Sequence, residues 1–226
     1  MVVARYDPHA DWYEGYVSDP GSEHYRRVRG MAGELLGRGS GRCLDVCCGT
    51  GIHAGQLRDL GYSPTGVDVS AGQLGYARSR LPVAQGDAAR LPFASGSMAA
   101  VALIHAHTDL DAYPATVAEA ARVLQPGGRL VLVGCHPCFI GAFADRSDPE
   151  KVVLTLGYDS PDWRYDGWNT AGVRARTGAR HVPLAALVNA VLDAGLVLGA
   201  VREAGPPGGY PDLLGFRASK PLGEVR

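Results

Sequence analysis

The sequence predicts an α/β protein built on a mostly parallel, doubly wound sheet with helices on both faces. Three observations predict it. Short apolar runs alternate with stretches of helical periodicity from residue 42 onward. Neighbouring runs lie one helix apart, the spacing of strand–helix–strand units, and they are apolar enough for burial on both sides. Glycines or other turn residues close most of them.

Taken in order, residues 42–48 form the first strand, which runs into glycines. A helix over 52–60 follows, with Leu57 and Leu60 on one side and Gly61 as its stop. Residues 65–69 are the second strand, and Ser70 is placed to cap a helix reaching about Arg80. A short third strand falls at 82–85 and a strong fourth at 98–106. A helix over 115–124 ends at Gln125-Pro126-Gly127-Gly128, a turn that neither helix nor strand crosses easily, before a fifth strand at 129–135. Leu184, Leu187, Val188, Val191 and Leu192 recur at amphipathic-helix spacing, closed by Gly195. Two last strands are expected at 196–203 and 212–218.

The chain's 226 residues fit one domain. Two segments stand outside the alternation: an N-terminal stretch, 1–38, and an insert, 137–180. They flank a core at 40–135 and a C-terminal part at 181–226. Together they hold 11 of the 17 aromatic residues. Tyr13, Tyr16, Phe139, Trp163 and Trp168, with His181 at the insert's end, are therefore candidates for a lid over a flat or apolar ligand. The competing expectation is a set of small local cores that pin long loops.

Net charge is −1 without a Lys/Arg run, so neither nucleic acid nor a membrane surface is an expected partner. A small molecule is. No apolar run approaches the roughly 20 residues of a membrane span, and the N-terminus lacks a basic region followed by an apolar one, so the expected location is cytoplasmic. Nothing in the sequence separates a monomer from a homodimer. The five cysteines include Cys135 and Cys138 in a C-x-x-C pair. A zinc site needs a second ligand pair at similar spacing and a redox motif should open a helix; neither is present, so no metal is expected.

Gly49-Thr50-Gly51 lies between a strand and a helix start, with Ala54 three residues on, and also satisfies the dinucleotide fingerprint. Three acids separate the possibilities. Asp45, Asp68 and Asp87 fall at or near the ends of the first three strands. A carboxylate repels pyrophosphate but attracts an ammonium, and it can accept from ribose hydroxyls or an adenine amino group.

These residues resemble the class I S-adenosylmethionine-dependent methyltransferases, in the small-molecule branch that includes ubiquinone- and menaquinone-pathway and many natural-product enzymes. The matching segments are 44–51 (LDVCCGTG), 66–70 (GVDVS), 86–93 (GDAARLPF) and 123–134 (VLQPGGRLVLVG). The resemblance implies a Rossmann-like, seven-stranded sheet whose last strand is antiparallel. It implies S-adenosylmethionine as cofactor and S-adenosylhomocysteine as product. It places Asp45, Gly49 and Gly51 at the methionine part, Asp68 at the ribose, and Asp87 with Ala88 at the adenine; Thr50, Val69 and Leu103 complete the expected contacts. The sequence departs from the pattern at Ser97-Met98-Ala99, where an acid is usual, and at Cys47–Cys48, where glycine or glutamate is.

The expected activity is methylation of a small, aromatic or apolar metabolite, with secondary metabolism as the expected setting. The alternative is a cyclase or isomerase that keeps the methyl group. Methyl transfer requires the acceptor to be positioned and, where needed, deprotonated, and histidine suits the proton transfer. His105 and His107 follow the fourth strand on one side of an alternating segment, and His136 follows the fifth. Of these, His107 and His136 are the expected bases, with Asp109 able to orient a histidine or cap the next helix. The ribose assignment predicts that Asp68→Ala weakens cofactor binding well beyond about twofold in calorimetry; an unchanged affinity removes it.

Overall fold

The computed structural model describes residues 4–19 and 21–223. Positions 1–3, 20 and 224–226 of the expected terminal segments lie outside the described residues. Seven strands make one sheet: β1 (Arg42–Val46), β2 (Ser63–Asp68), β3 (Val83–Gln85), β4 (Met98–Ile104), β5 (Leu124–Cys135), β6 (Val197–Ala204) and β7 (Leu213–Ser219). Their order across the sheet is β6-β7-β5-β4-β1-β2-β3. The first five pair in parallel, and β7 runs antiparallel between β5 and β6.

The pleat distributes the strand side chains between two apolar layers. Cys43, Ala100, Ala102, Ile104, Val131 and Val133 face one way, under Val28, Met31 and Leu35 of α2 (Glu23–Leu36). Leu44, Val46, Val101, Leu103, Leu130 and Leu132 face the other. There they meet Val117 of α5 (Tyr113–Val123) and Leu187 and Val191 of α7 (Leu184–Asp193). Burial on both faces is why these strands read as continuous apolar runs rather than alternating ones. It also leaves the strand ends as the places where polar groups can gather. In α7 only part of the expected stripe is buried: Leu184 and Leu192 remain exposed.

Ser70 caps α4 (Ala71–Ala77), its Oγ accepting the Gln73 N–H at 3.1 Å. The Gln125–Gly128 stretch differs from the expected clean turn. Strand β5 already begins at Leu124, and the irregularity is absorbed as a bulge: Met98 lies opposite Leu124, yet Ala100 lies opposite Arg129. Gly127, at φ +76°, takes the left-handed conformation that the bulge requires.

Two short helices, α1 (Ala10–Val17) and α3 (Ala54–Asp59), precede and follow α2 and β1, and α6 (Val173–Thr177) lies in the insert. The insert holds itself together with two-residue ladders, Ala144–Asp145 against Val153–Leu154 and Trp163–Arg164 against Ala179–Arg180. Phe143, Tyr158 and His181 form an aromatic knot with ring separations of 4.8 to 5.3 Å. No helix among the described residues is long and apolar enough to cross a membrane.

Phe216 of β7 is the largest fully buried side chain, 1% exposed, and packs between β5 and the α5/α7 layer. Phe216→Ala is expected to cost about 3–5 kcal/mol in urea unfolding, with little change in m-value.

Candidate active site

The site begins where β1 ends. Cys47, Gly49 and Gly51 all have positive φ, at +58°, +55° and +77°, which folds the chain tightly between β1 and α3. For Cys47 this conformation costs roughly 1–2 kcal/mol, so surrounding contacts must hold it. Asp68 supplies one. Its Oδ2 accepts the Gly49 N–H at 2.9 Å and its Oδ1 the Ser70 N–H at 2.9 Å. A Cβ on Gly49 would lie 2.9 Å from Gln73 Oε1. At Gly51 a Cβ would lie 2.7 Å from Leu81 Cδ2, so this glycine permits helix packing and does not line the cavity.

Above this turn is a deep cavity lined by Gly49, Thr50, Asp68, Val69, Asp87 and Ala88, all expected cofactor contacts. Asp87 Oδ1 accepts the Ala89 N–H at 2.8 Å. Asp109 also reaches the cavity, accepting from the Tyr6 hydroxyl at 3.1 Å, and burial pushes its carboxyl up to about 7. The one arginine on the wall, Arg5, is paired with Asp111 at 3.1 Å. The cavity is therefore acidic. Thr50 Oγ1, His53 Nδ1 and Gln73 Nε2 are buried in its wall without hydrogen-bond partners among the described residues.

Besides Gly51, two expected contacts lie off the cavity wall. The pleat sends Leu103 into the core, and Ile104 takes its place on the wall. Asp45, 1% exposed, lies within the protein rather than on the cavity surface, and its Oδ2 has no hydrogen-bond partner among the described residues. Burial first, then the nearby Asp68, push its carboxyl up to about 7.

A second, outer cavity of about 440 Å³ shares Tyr6, Tyr13, Tyr25, His105 and Asp109 with the first. Tyr16 and Trp168 line the outer one, and Trp163 the deep one. Arg146 and Arg174 of the insert also face the outer cavity, and Arg146 Nη1 is buried without a hydrogen-bond partner among the described residues. The N-terminal segment meets the insert through two cation–π contacts, Arg5 over Trp163 at 3.7 Å and Arg176 over Trp12 at 4.3 Å. Phe139 lies outside both cavities, against His136 and Tyr210. His181 is likewise outside them, in the aromatic knot.

The two expected bases are not on either cavity wall. The segment after β4 does not continue the alternation. It leaves the strand at Ile104 and turns into a single 3₁₀ turn over His107–Asp109. That turn buries His107 beneath Gly134, where burial and then His181 depress its imidazole to about 4. His136 is held by Glu203 Oε1 at 2.6 Å and accepts the Cys138 N–H at 3.1 Å. Asp109 bonds Tyr6 rather than a histidine. Three other histidines line the cavities: His53 the deep one, His24 of α2 the outer one, and His105, at φ +53°, both. The side-chain partner of His105 is His24, 81 residues away, so the pairing is invisible in the sequence. Burial pushes the Cys135 thiol, on the outer wall, up to about 11, which keeps it protonated at neutral pH.

A Rossmann-like sheet of this strand order, with a glycine turn after β1 and carboxylates closing β2 and following β3, is the class I methyltransferase architecture. Residues 44–132 match the family model described as methyltransferase domain. A demethylmenaquinone methyltransferase of Renibacterium salmoninarum is 33% identical over 143 residues, 61% of this chain and 60% of that protein. One from a Mycobacterium species is 40% identical over 134 residues, 58% of each. A crystal structure of an S-adenosylmethionine-dependent methyltransferase from Mesorhizobium loti superimposes with a TM-score of 0.70 at 20% identity, covering 88% of this chain and 99% of that one. Over residues 44–132 the chain carries the methyltransferase domain, and it is similar to S-adenosylmethionine-dependent methyltransferases, demethylmenaquinone methyltransferases among them. It spans about three-fifths of the length of the curated relatives it matches.

Asp45 yields a pH prediction. Its folded value of about 7 stands above the ordinary 3.8, so the folded state holds the extra proton. This group's contribution is most favourable below about pH 4 and is lost as pH rises towards 7. Asp45→Asn removes that loss. The variant is expected to exceed wild type by a few kcal/mol at pH 8 and to match it at pH 3.5, by denaturant titration.

Proposed function

We propose that the chain transfers the methyl group of S-adenosylmethionine to a small, flat acceptor held in the outer cavity. The observation that carries this is the charge of the deep cavity. Asp68 and Asp87 line it, with Asp109 partly protonated near neutral pH, while the one arginine on its wall among the described residues is engaged by Asp111. A dinucleotide's pyrophosphate would meet like charge there, whereas a sulfonium with an ammonium is attracted. The cofactor, when bound, supplies an electrophilic methyl on a good leaving group.

The rest is the work of the chain. Asp68 keeps lone pairs beyond those given to Gly49 and Ser70 and can accept from two ribose hydroxyls. Asp87 is placed to accept from the adenine amino group. The Thr50 hydroxyl and Gln73 amide, otherwise unpartnered, can bond the amino-acid end. On the acceptor side Tyr13, Tyr16, Tyr25 and Trp168 offer aromatic walls, and Arg146 and Arg174 favour an electron-rich edge. The N-terminal segment and the insert, joined by the Arg5–Trp163 and Arg176–Trp12 contacts, act as the lid that excludes water. The relatives' name, demethylmenaquinone methyltransferase, supports a ring acceptor, although the shared sequence spans mainly the cofactor core.

Mass spectrometry of the purified protein with S-adenosylmethionine and an extract of its source organism tests this. One metabolite should gain one methyl as S-adenosylhomocysteine appears in equal amount. An altered metabolite with the cofactor intact would mean a cyclase or isomerase instead. Trp168→Ala should raise the acceptor KM several-fold, consistent with about 0.5–1.5 kcal/mol for an aromatic contact, and leave cofactor affinity unchanged.

A further inference from the structure

We infer that His105, His24 and Asp212 form a proton relay in which His105 takes the acceptor's proton and His24, beside Asp212, carries the charge. The inference rests on the methyl-transfer reading and assigns it an acceptor that loses a proton, such as a phenol, an enol or an amine.

The three groups come from distant parts of the chain. His105 follows β4 and lines both cavities. Its Nε2 lies 3.1 Å from Nε2 of His24 on α2, with the rings stacked at 5.1 Å and 28°. His24 Nδ1 lies 3.2 Å from Oδ2 of Asp212, just before β7, and the same oxygen accepts from Arg27 at 2.7 Å. The chemistry of the last group fixes the protons of the neutral pair. An ionised Asp212 can only accept, so His24 Nδ1 donates to it. His24 Nε2 then has only a lone pair, so His105 Nε2 must donate. The remaining lone pair of His105, on Nδ1, has no hydrogen bond among the described residues, and its ring borders the cavities.

A solitary base at His105 would be weak. Burial, then His24, His107 and His53, depress its imidazole to about 3. The relay removes that weakness, because the charge does not stay there. His24 is 36% exposed at its side chain and touches a carboxylate that its own hydrogen bond and Arg27 hold below the usual range, against the opposing effect of burial. Beside the pair, the Tyr25 ring stands roughly perpendicular to both imidazoles, with centroids 5.5 Å from His24 and 6.0 Å from His105.

The step balances without another reactant. As the acceptor's oxygen or nitrogen bonds the methyl carbon, its bond to hydrogen breaks and that proton goes to His105 Nδ1. The Nε2 proton of His105 passes to His24 Nε2. The carbon–sulfur bond breaks with its electron pair left on sulfur, and the imidazolium of His24 faces Asp212. After product leaves, His24 returns its proton to His105 as water takes the one on Nδ1.

Two measurements test the relay. The first is nitrogen-15 NMR of the full chain at pH 8, which needs no acceptor. His105 should be protonated on Nε2 and His24 on Nδ1; a His105 protonated on Nδ1 overturns the relay. The second is the pH dependence of kcat with the metabolite found by mass spectrometry. His105→Asn should lower kcat by at least about 100-fold, with acceptor KM and cofactor affinity within a few-fold. Asp212→Asn should lower the plateau and move the acid limb of kcat to lower pH, because a proton on the pair is no longer stabilised. His24→Gln should abolish that limb and gives a second reading if Asp212→Asn does not fold. An acid limb unmoved in Asp212→Asn and retained in His24→Gln would reduce these groups to a structural role. If no metabolite gains a methyl, the functional reading fails, and the NMR result still decides the relay.

Discussion

The carboxylate of Asp68 holds the site together. By accepting N–H groups from Gly49 and Ser70 it joins the turn after β1 to the start of α4, two loops that would otherwise be independent. Three residues near it carry unfavourable features that need such support: Cys47 in the left-handed region, and Thr50 and Gln73 with buried atoms that have no hydrogen-bond partner among the described residues. A site that tolerates unpaired polar groups and left-handed turns is prepared for a polar ligand that will pair them.

The same anchor extends to the N-terminus. Asp7 accepts from the Ser70 hydroxyl at 2.6 Å and from the Gly72 N–H at 3.0 Å, and Asp11 accepts from the Tyr76 hydroxyl at 2.7 Å. A segment outside the strand–helix alternation is thereby laid along α4, which carries Tyr6 and Tyr13 to the boundary of both cavities. From the other side the insert brings Trp163, Trp168, Arg146 and Arg174. The deep cavity is acidic and the outer one aromatic with two arginines, so a cation is drawn to one and an electron-rich ring to the other. His105 stands on the wall they share.

Much of this was legible in the sequence. Parallel strands buried on both faces are largely apolar, so the runs read at 42–48, 65–69 and 98–106 declare themselves, and acids or glycines at their ends stand out against that background. That contrast is what located Asp68, Asp87, Gly49 and Thr50. Gly51, Leu103 and Asp45 do not reach the cavity wall: Gly51 packs against α4, and Leu103 and Asp45 lie one and two pleat positions away from residues that do reach the cavity or its turn. The contrast failed for Gln125–Gly128, where a bulge let the strand pass glycines that look like a stop.

Local patterns determined the fold class and the cofactor turn, because a strand's burial and a turn's left-handed residues are properties of neighbouring positions. The acceptor side followed a different rule. His24, His105 and Asp212 are separated by 81 and 188 residues from their partners. The choice between His105 and His107 depended on a 3₁₀ turn that breaks the alternation. Only the packing of α2 and β7 around the end of β4 could bring those rings and that carboxylate together, since hydrogen bonds between distant segments leave no periodicity along the chain.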